Sequence, residues 1–387
     1  MSEVKKEVIT MPRGPLGLIA LPGCEEFVSH VDSYLSSWRK QRPMEVAGYG
    51  KNSFMIDVDL PRFGSGEGKG VIKQSVRGMD LFIAVDITNY SVEYSMYGQK
   101  NPMSPDDHFQ NLKRVIAAVG GKAKRVSVIM PFLYEGRQHK RSGRESLDCA
   151  MALQELTAMG VKNIITFDAH DPRVQNAIPM NGFETVMPTY QFVKEMIDHE
   201  DLQLDSDHMM VISPDEGAIS RAIYFANVLG LDVGMFYKRR DYTRVVDGKN
   251  PIVAHEFLGS SVEGKDVIVV DDMIASGESV FDVARQLKER KARKVFVCAT
   301  FGLFTKGMEP FDRAREAGLI DCIYTTNLIY QTPELLSRDY YVSVDMCEYL
   351  AALIDTSNHD SPTESLLTPT AKIQKKVAEV RAVQKER

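Results

Sequence analysis

The chain has 387 residues, of which 44% are hydrophobic and 26% charged, with a formal net charge of −6 at pH 7; this suits a globular protein of two or more domains with substantial cores. The acidic balance argues against nucleic-acid binding, which needs a net basic face, and no apolar run approaches the roughly eighteen residues of a membrane span. The opening MSEVKKEVITMPRG lacks a signal-peptide core, and Cys24, Cys149, Cys298, Cys322 and Cys347 are widely spaced, mostly in apolar stretches. Reduced, buried thiols and cytoplasmic residence follow as expectations, rather than a disulfide frame or a zinc site.

In chain order, Leu16 to Leu21 reads as a strand, and Glu26 to Arg39 has helical spacing at Phe27, Val31, Leu35 and Trp38. Leu81 to Val85 is strand-like. Thr88 to Pro105, rich in Asn, Ser, Tyr and Gly, reads as a surface insertion before a helix over Asp106 to Val119. Strands and helices then alternate, the pattern of a parallel sheet. The strands are Val126–Phe132, Val161–Phe167, Met209–Ile212, Val233–Tyr237, Val267–Val270, Val295–Thr300 and Ile320–Tyr324. The helices are Glu145–Met159, Tyr190–Ile197, Glu216–Leu229, Val280–Leu287, one near Glu309–Ala317, and Asp345–Ile354. Two similar α/β halves fit this order, with a seam near Gly160. The end, Lys372 to Arg387, is basic and helix-capable, with a thin apolar stripe at Ile373, Val377, Val380 and Val383; it reads as a solvated tail, or else as a subunit contact.

The most informative stretch is DVIVVDDMIASGES, Asp266 to Ser279. A buried strand is expected to end at Asp271 and Asp272, followed by a small-residue turn around Gly277 and then a helix. Open α/β sheets bind ligands beyond the carboxyl ends of their strands, and a helix N-terminus offers free N–H groups to a phosphate. Paired carboxylates beside such a cradle suit ribose hydroxyls or magnesium. Other strand ends carry further clusters. Arg137, Lys140, Arg141 and Arg144 lie in one loop and suit nucleotide phosphates, or form a plain charged surface. His170 follows Asp168, Asp215 stands in SPDEG where simple N-capping is the bland alternative, and Lys238, Arg239 and Arg240 close another strand.

Taken together, these residues resemble the phosphoribosyl diphosphate synthetase (ribose-phosphate diphosphokinase) family, over roughly Arg62 to Ile354. RFGSGE at 62–67, SVRG at 75–78, GRQ at 136–138, FDAH at 167–170, SPDEG at 213–217, KRR at 238–240 and DDMIASGES at 271–279 fall in that family's order. Ala275 stands where the family usually has an acidic residue, Glu278 where glycine is common, and Gly64 and Ser65 where serine and aspartate are usual.

The resemblance implies two phosphoribosyltransferase-like α/β domains, each a mainly parallel sheet flanked by helices. Their expected bounds are 1–160 and 161–335, with a helix at 336–356 packing back on the N-terminal domain and a linker and basic tail at 357–387. It implies transfer of the β,γ-diphosphate of MgATP to the 1-hydroxyl of ribose 5-phosphate, giving phosphoribosyl diphosphate and AMP. Lys238 and Arg240 would be catalytic. Glu67, Arg137 and Gln138 would bind ATP, and His170 and Asp215 would serve Mg2+. Asp271 and Asp272 would take the ribose diol, and Ala275, Ser276, Gly277, Glu278 and Ser279 the 5-phosphate. A homo-oligomer, dimer or hexamer, is implied as well. Two other readings share these residues: a non-catalytic regulatory paralogue, and a diphosphokinase with an altered ribosyl-phosphate acceptor.

Overall fold

β-branched runs that are apolar on both faces become interior strands of parallel sheets, and this chain builds two such sheets in two units. The structure, a computed structural model, describes residues 10–42, 44–240 and 252–386; the side chains of 238–240, 252–255 and 383–386 lie outside that description.

The first unit comprises Met1–Met187, Leu328–Tyr330 and Met346–Thr368. Its five-stranded sheet runs edge to edge in chain order: Leu16–Ala20, Asp80–Ala84, Arg125–Ile129, Asn163–Phe167 and Gly182–Val186, all parallel. The helix Pro105–Val119 shows why the sequence folds locally as it does. Ser104 and Asp107 form a reciprocal capping box, Pro105 opens the first turn, and Gly120 ends it at φ 58°. The 88–105 insertion is not plain loop. It contains a hairpin, Glu93–Met96 with Gln99–Pro102, turned by Tyr97 and Gly98 at φ 49° and 77°, the two positive values of a type I′ turn.

The second unit comprises Pro188–Asn327, Gln331–Asp345 and Pro369–Arg387. Its seven-stranded sheet has the order Ile252–Leu258, Asp232–Arg240, Met209–Ser213, Asp266–Ile274, Val295–Gly302, Cys322–Thr326, Tyr341–Val344. Only the first pair is antiparallel.

Three expectations need correction. The units divide between Met187 and Pro188 rather than at Gly160, because Asn163–Phe167 pairs with Arg125–Ile129 and extends the first sheet. The bounds of the 336–356 segment also shift: residues up to Asp345 stay with the second unit, while the helix expected to pack on the N-terminal domain does so as Cys347–Asn358. Residues 357–387 are not a linker and solvated tail. Thr370–Glu386 is a helix whose Ile373 and Val377 are buried in the second unit's core with Phe225 and Leu229. All five cysteines are buried free thiols. Among the described residues, no helix is long and apolar enough to cross a membrane.

Candidate functional site

In the second unit the winding direction reverses at Met209–Ser213, which has Asp232–Arg240 on one side and Asp266–Ile274 on the other. The crevice beyond the carboxyl ends of parallel strands at such a switch point is where open α/β sheets bind ligands. SPDEG leaves one of these strands and the 271–279 segment ends the other. Asp215 Oδ1 accepts hydrogen bonds from the Gly217 and Ala218 N–H groups at 2.9 and 3.3 Å, and the Ser213 hydroxyl donates to the Asp215 carbonyl at 2.7 Å. Asp215 therefore closes the turn ahead of the helix Ile219–Leu229 without capping it, since the N-cap position is Ala218 and no side chain caps it. Arg221, in the first turn of that helix, lies 4.0 Å from Asp271 Oδ1.

Asp271 and Asp272 are inside their strand rather than beyond it: the ladder to Val295–Gly302 continues through Asp271↔Ala299 to Ile274↔Gly302. The Asp272 N–H donates to Asp271 Oδ1 at 2.8 Å. Burial, reinforced by the adjacent Asp272 charge, holds the Asp271 carboxyl well above the usual carboxylate range, and the Arg221 guanidinium opposes the shift. Gly277 then turns the chain at φ 85°, where a Cβ would stand 2.4 Å from Phe311 Cζ and 2.8 Å from Phe281 Cζ; only glycine meets both demands. The helix Glu278–Glu289 follows, burying Val280, Val283, Ala284 and Leu287. Ala275 and Ser276 are half-buried, whereas Glu278 and Ser279 are exposed. Glu278 Oε1 lies 2.5 Å from Lys306 Nζ, and that ammonium holds its carboxyl below the ordinary value.

Lys238 and Arg240 fall at the carboxyl end of Asp232–Arg240, with Cα partners His255 and Ile252 and a register shift between Arg239 and Arg240. Their side chains, and residues 241–251 after them, lie outside the described residues.

In the first unit, Arg137 is exposed on the loop after Arg125–Ile129. Gln138 is half-buried and donates to the Ser146 carbonyl at 2.8 Å, bracing that loop from within. Next to it, His139 Nδ1 stands 2.9 Å from Asp171 Oδ2, and its ring meets that of His170 edge-on with centroids 5.4 Å apart. Side-chain and backbone hydrogen bonds from Arg173 hold the Asp171 carboxyl far below its ordinary value, whereas burial lowers His139 against the pull of Asp171. Glu67 is exposed, its Oε2 accepting from the Ser65 hydroxyl at 2.9 Å. Its loop is held by Arg62, which donates to the Gly66 carbonyl and lies over the Tyr94 ring of the hairpin.

The first unit thus places Arg137 and Gln138 after Arg125–Ile129 and His170 after its neighbour Asn163–Phe167, with Glu67 on a separate loop. The second gathers Asp215, Asp271, Asp272 and the 275–279 turn at its switch point. Arg221, Lys306, His139 and Asp171 escaped the sequence reading. His139 and Arg221 had a signal, since each is a cationic or basic side chain within six residues of a recognised motif. Lys306 had none, because it meets Glu278 across 28 residues of chain.

A parallel strand with paired carboxylates near the end of its ladder, a glycine turn and a helix N-terminus at a switch point define a phosphoribosyltransferase-type α/β protein. Residues 184–326 match the phosphoribosyl transferase domain, and residues 17–160 match the N-terminal domain of ribose phosphate pyrophosphokinase. The chain is 30% identical over 275 residues to the ribose-phosphate pyrophosphokinase of Mycoplasma pneumoniae, covering 70% of this chain and 75% of that one. It is 29% identical over 311 residues to that of Vibrio parahaemolyticus, covering 79% and 89%. The fold is similar to the crystal structure of phosphoribosylpyrophosphate synthetase from Mycobacterium smegmatis, with a TM-score of 0.70 and 22% identity over 89% of this chain and 99% of that one. The chain belongs to the ribose-phosphate pyrophosphokinase family.

Proposed function

We propose that the chain is a ribose-phosphate diphosphokinase: it transfers the β,γ-diphosphate of ATP to the 1-hydroxyl of ribose 5-phosphate. The 1-hydroxyl oxygen bonds to the β-phosphorus, the bond from that phosphorus to the α,β-bridging oxygen breaks, and AMP leaves. The hydroxyl proton passes to solvent. Such a transfer asks for positioning and charge control rather than a covalent intermediate. Family membership supports this reading, together with the second unit's constellation: Asp215 and Asp271 border one switch point, with Arg221 4.0 Å from Asp271.

Each residue then has a task. Asp271 and Asp272 accept hydrogen bonds from the ribose 2- and 3-hydroxyls. A carboxyl destabilised as an anion by burial and a like charge gains from such donors. The 275–279 turn and the helix behind it receive the 5-phosphate on backbone N–H groups. Arg137 and Gln138 hold ATP phosphates, and Glu67 takes the adenine side. Lys238 and Arg240 stabilise the negative charge that grows on the transferred group.

Asp215, in the second unit, offers magnesium the hard carboxylate oxygen it accepts alongside phosphate oxygens and water, and His170, in the first unit, is proposed separately as a partner for magnesium-bound water or phosphate. When bound, magnesium would neutralise phosphate charge. No group of three or more His, Cys, Asp or Glu suited to a metal occurs among the described residues. A homo-oligomer and cytoplasmic residence belong to the same proposal.

Incubating the purified protein with MgATP and ribose 5-phosphate tests the reading. AMP and phosphoribosyl diphosphate should appear in equal amounts. AMP without that product points to another acceptor, and tight ATP binding with no AMP points to a regulatory paralogue; either result overturns the assignment.

A further inference from the structure

Lys306 lies just beyond the strand Val295–Gly302, and its approach to Glu278 is set by backbone rather than by chance side-chain contact. The Leu303 N–H donates to the Ile274 carbonyl at 2.9 Å, and the Thr305 N–H donates to the Ala275 carbonyl at 2.9 Å. Below them, the rings of Phe281 and Phe304 both pack on Phe311, with centroids 4.8 and 5.0 Å away. Phe311 is also the ring that excludes a Cβ at Gly277. Residues 303–306 and the 275–279 turn are therefore one rigidly supported piece of the second unit.

The charge balance of this piece is unusual for a phosphate cradle. Asp271 and Asp272 precede the turn, and Glu278 opens the helix whose N-terminus would receive a dianion. A carboxylate in that first turn occupies the helix dipole itself and repels a second anion. Lys306 is the cation that the fold sets against it, at 2.5 Å. Both side chains are largely exposed, at 58% for Lys306 and 70% for Glu278, so the pair adds little to stability. Its consequence is for a ligand. An ammonium has three donors on a flexible stem, so it can stay in contact with Glu278 while giving its other protons to phosphate oxygens.

We infer that Lys306 is a specificity-determining residue for the acceptor, tethered beside the 275–279 turn by Glu278 so that the site selects a phosphate monoester dianion. This deepens the proposed function and rests on it. Ala275 and Glu278 then form a coherent alternative to an acidic residue and a glycine: phosphate is read by a side chain contributed from the loop after the neighbouring strand.

The test uses the full-length protein with MgATP and ribose 5-phosphate. Lys306→Ala should raise the KM for ribose 5-phosphate about tenfold or more, the loss of one charge-assisted hydrogen bond, and leave the KM for ATP within about twofold. Glu278→Gln combined with Lys306→Ala should bind ribose 5-phosphate more tightly than Lys306→Ala alone, since the carboxylate no longer faces the phosphate uncompensated. An active wild type whose KM for ribose 5-phosphate is unmoved by Lys306→Ala overturns this inference alone. A wild type that neither binds ribose 5-phosphate nor releases AMP overturns the proposed function, and this inference with it.

Discussion

The guanidinium of Arg39, 2% exposed, lies 2.8 Å from Asp355 Oδ1. It also donates to Asn358 Oδ1 at 2.7 Å and sits 4.8 Å from the centroid of Tyr49 and 5.0 Å from that of Phe54. Through it the helix Glu25–Gln41 holds the helix Cys347–Asn358, so the late helix stays with the first unit. Removing one member of a buried ion pair leaves the other charge without compensation. Arg39→Ala should therefore cost about 3–5 kcal/mol in urea unfolding. Arg39→Met with Asp355→Leu should recover a large part of that loss; a double variant no better than the single one would place the cost in packing instead.

Gly277→Ala tests the turn. Its φ of 85° and the 2.4 Å approach to Phe311 leave no place for a methyl group, so either the turn or the phenyl ring must move. The expected cost is about 1–3 kcal/mol, from the left-handed conformation together with displaced packing. The same movement would shift the helix N-terminus away from the proposed 5-phosphate position. Thermal unfolding should fall, and the KM for ribose 5-phosphate should rise while the Kd for ATP stays constant. A variant with wild-type values on both counts would show that the turn is neither tight nor part of the acceptor site.

Asp271→Asn separates function from stability. Burial and Asp272 raise the Asp271 pKa, so the folded state binds this proton more tightly than the unfolded chain does. The stabilisation from that linkage is complete below the ordinary carboxylate range and is lost as pH rises through the folded pKa. At neutral pH the native carboxylate is therefore a liability that the amide removes. Asp271→Asn should raise the Tm at pH 7–8, with the gain vanishing on acidification, while kcat/KM falls about a hundredfold or more as a ribose partner is lost. A Tm difference independent of pH would contradict the assigned burial.

The periodicity of the sequence made most of the sheet legible, because interior parallel strands must be apolar on both faces: Met209–Ile212 and Val267–Val270 are of that kind. Gly182–Val186, Ile252–Leu258 and Tyr341–Val344 were missed, and all three are edge strands or neighbours of breaks in the pattern. GFETV and IVAHEFL carry polar residues that an interior strand would not tolerate. The seam was misplaced for the same reason, since Gly160 looks like a boundary and only the ladder from Asn163–Phe167 to Arg125–Ile129 shows that the first sheet continues. Site residues within one motif were readable from their type and order. Contacts such as Lys306 with Glu278 depend on which strand lies beside which, and spacing along the chain does not encode that.

The C-terminal helix is the clearest case of tertiary context overriding composition. Thr370–Glu386 is basic and only thinly apolar, yet Ile373 is fully buried and Val377 is 3% exposed. Arg381 gives three hydrogen bonds, to the carbonyls of Leu204, Leu229 and Gly230, closing the C-terminal end of Ile219–Leu229. Ile373→Ala should cost about 2–5 kcal/mol, as for other buried truncations, and Arg381→Ala about 1–3 kcal/mol from carbonyls left without a donor. Chemical denaturation measures both. Losses below about 0.5 kcal/mol at both positions would return the helix to the status of a solvated tail.

Lys238 carries the sharpest kinetic prediction. Its Cα lies at the carboxyl end of Asp232–Arg240, three residues past Met235, where that strand's pairing with the switch-point strand Met209–Ser213 ends. A lysine there, acting only on charge that develops during transfer, contributes to the transition state and not to ground-state binding. Lys238→Ala should then lower kcat by about two to four powers of ten, with the Kd for ATP within a few-fold of wild type. Rapid-quench measurement of a single turnover separates chemistry from product release and should show the whole loss in the chemical step. Were kcat preserved and ATP affinity lost, Lys238 would be a ground-state nucleotide contact, and Arg240 alone would be left to stabilise the transferred group.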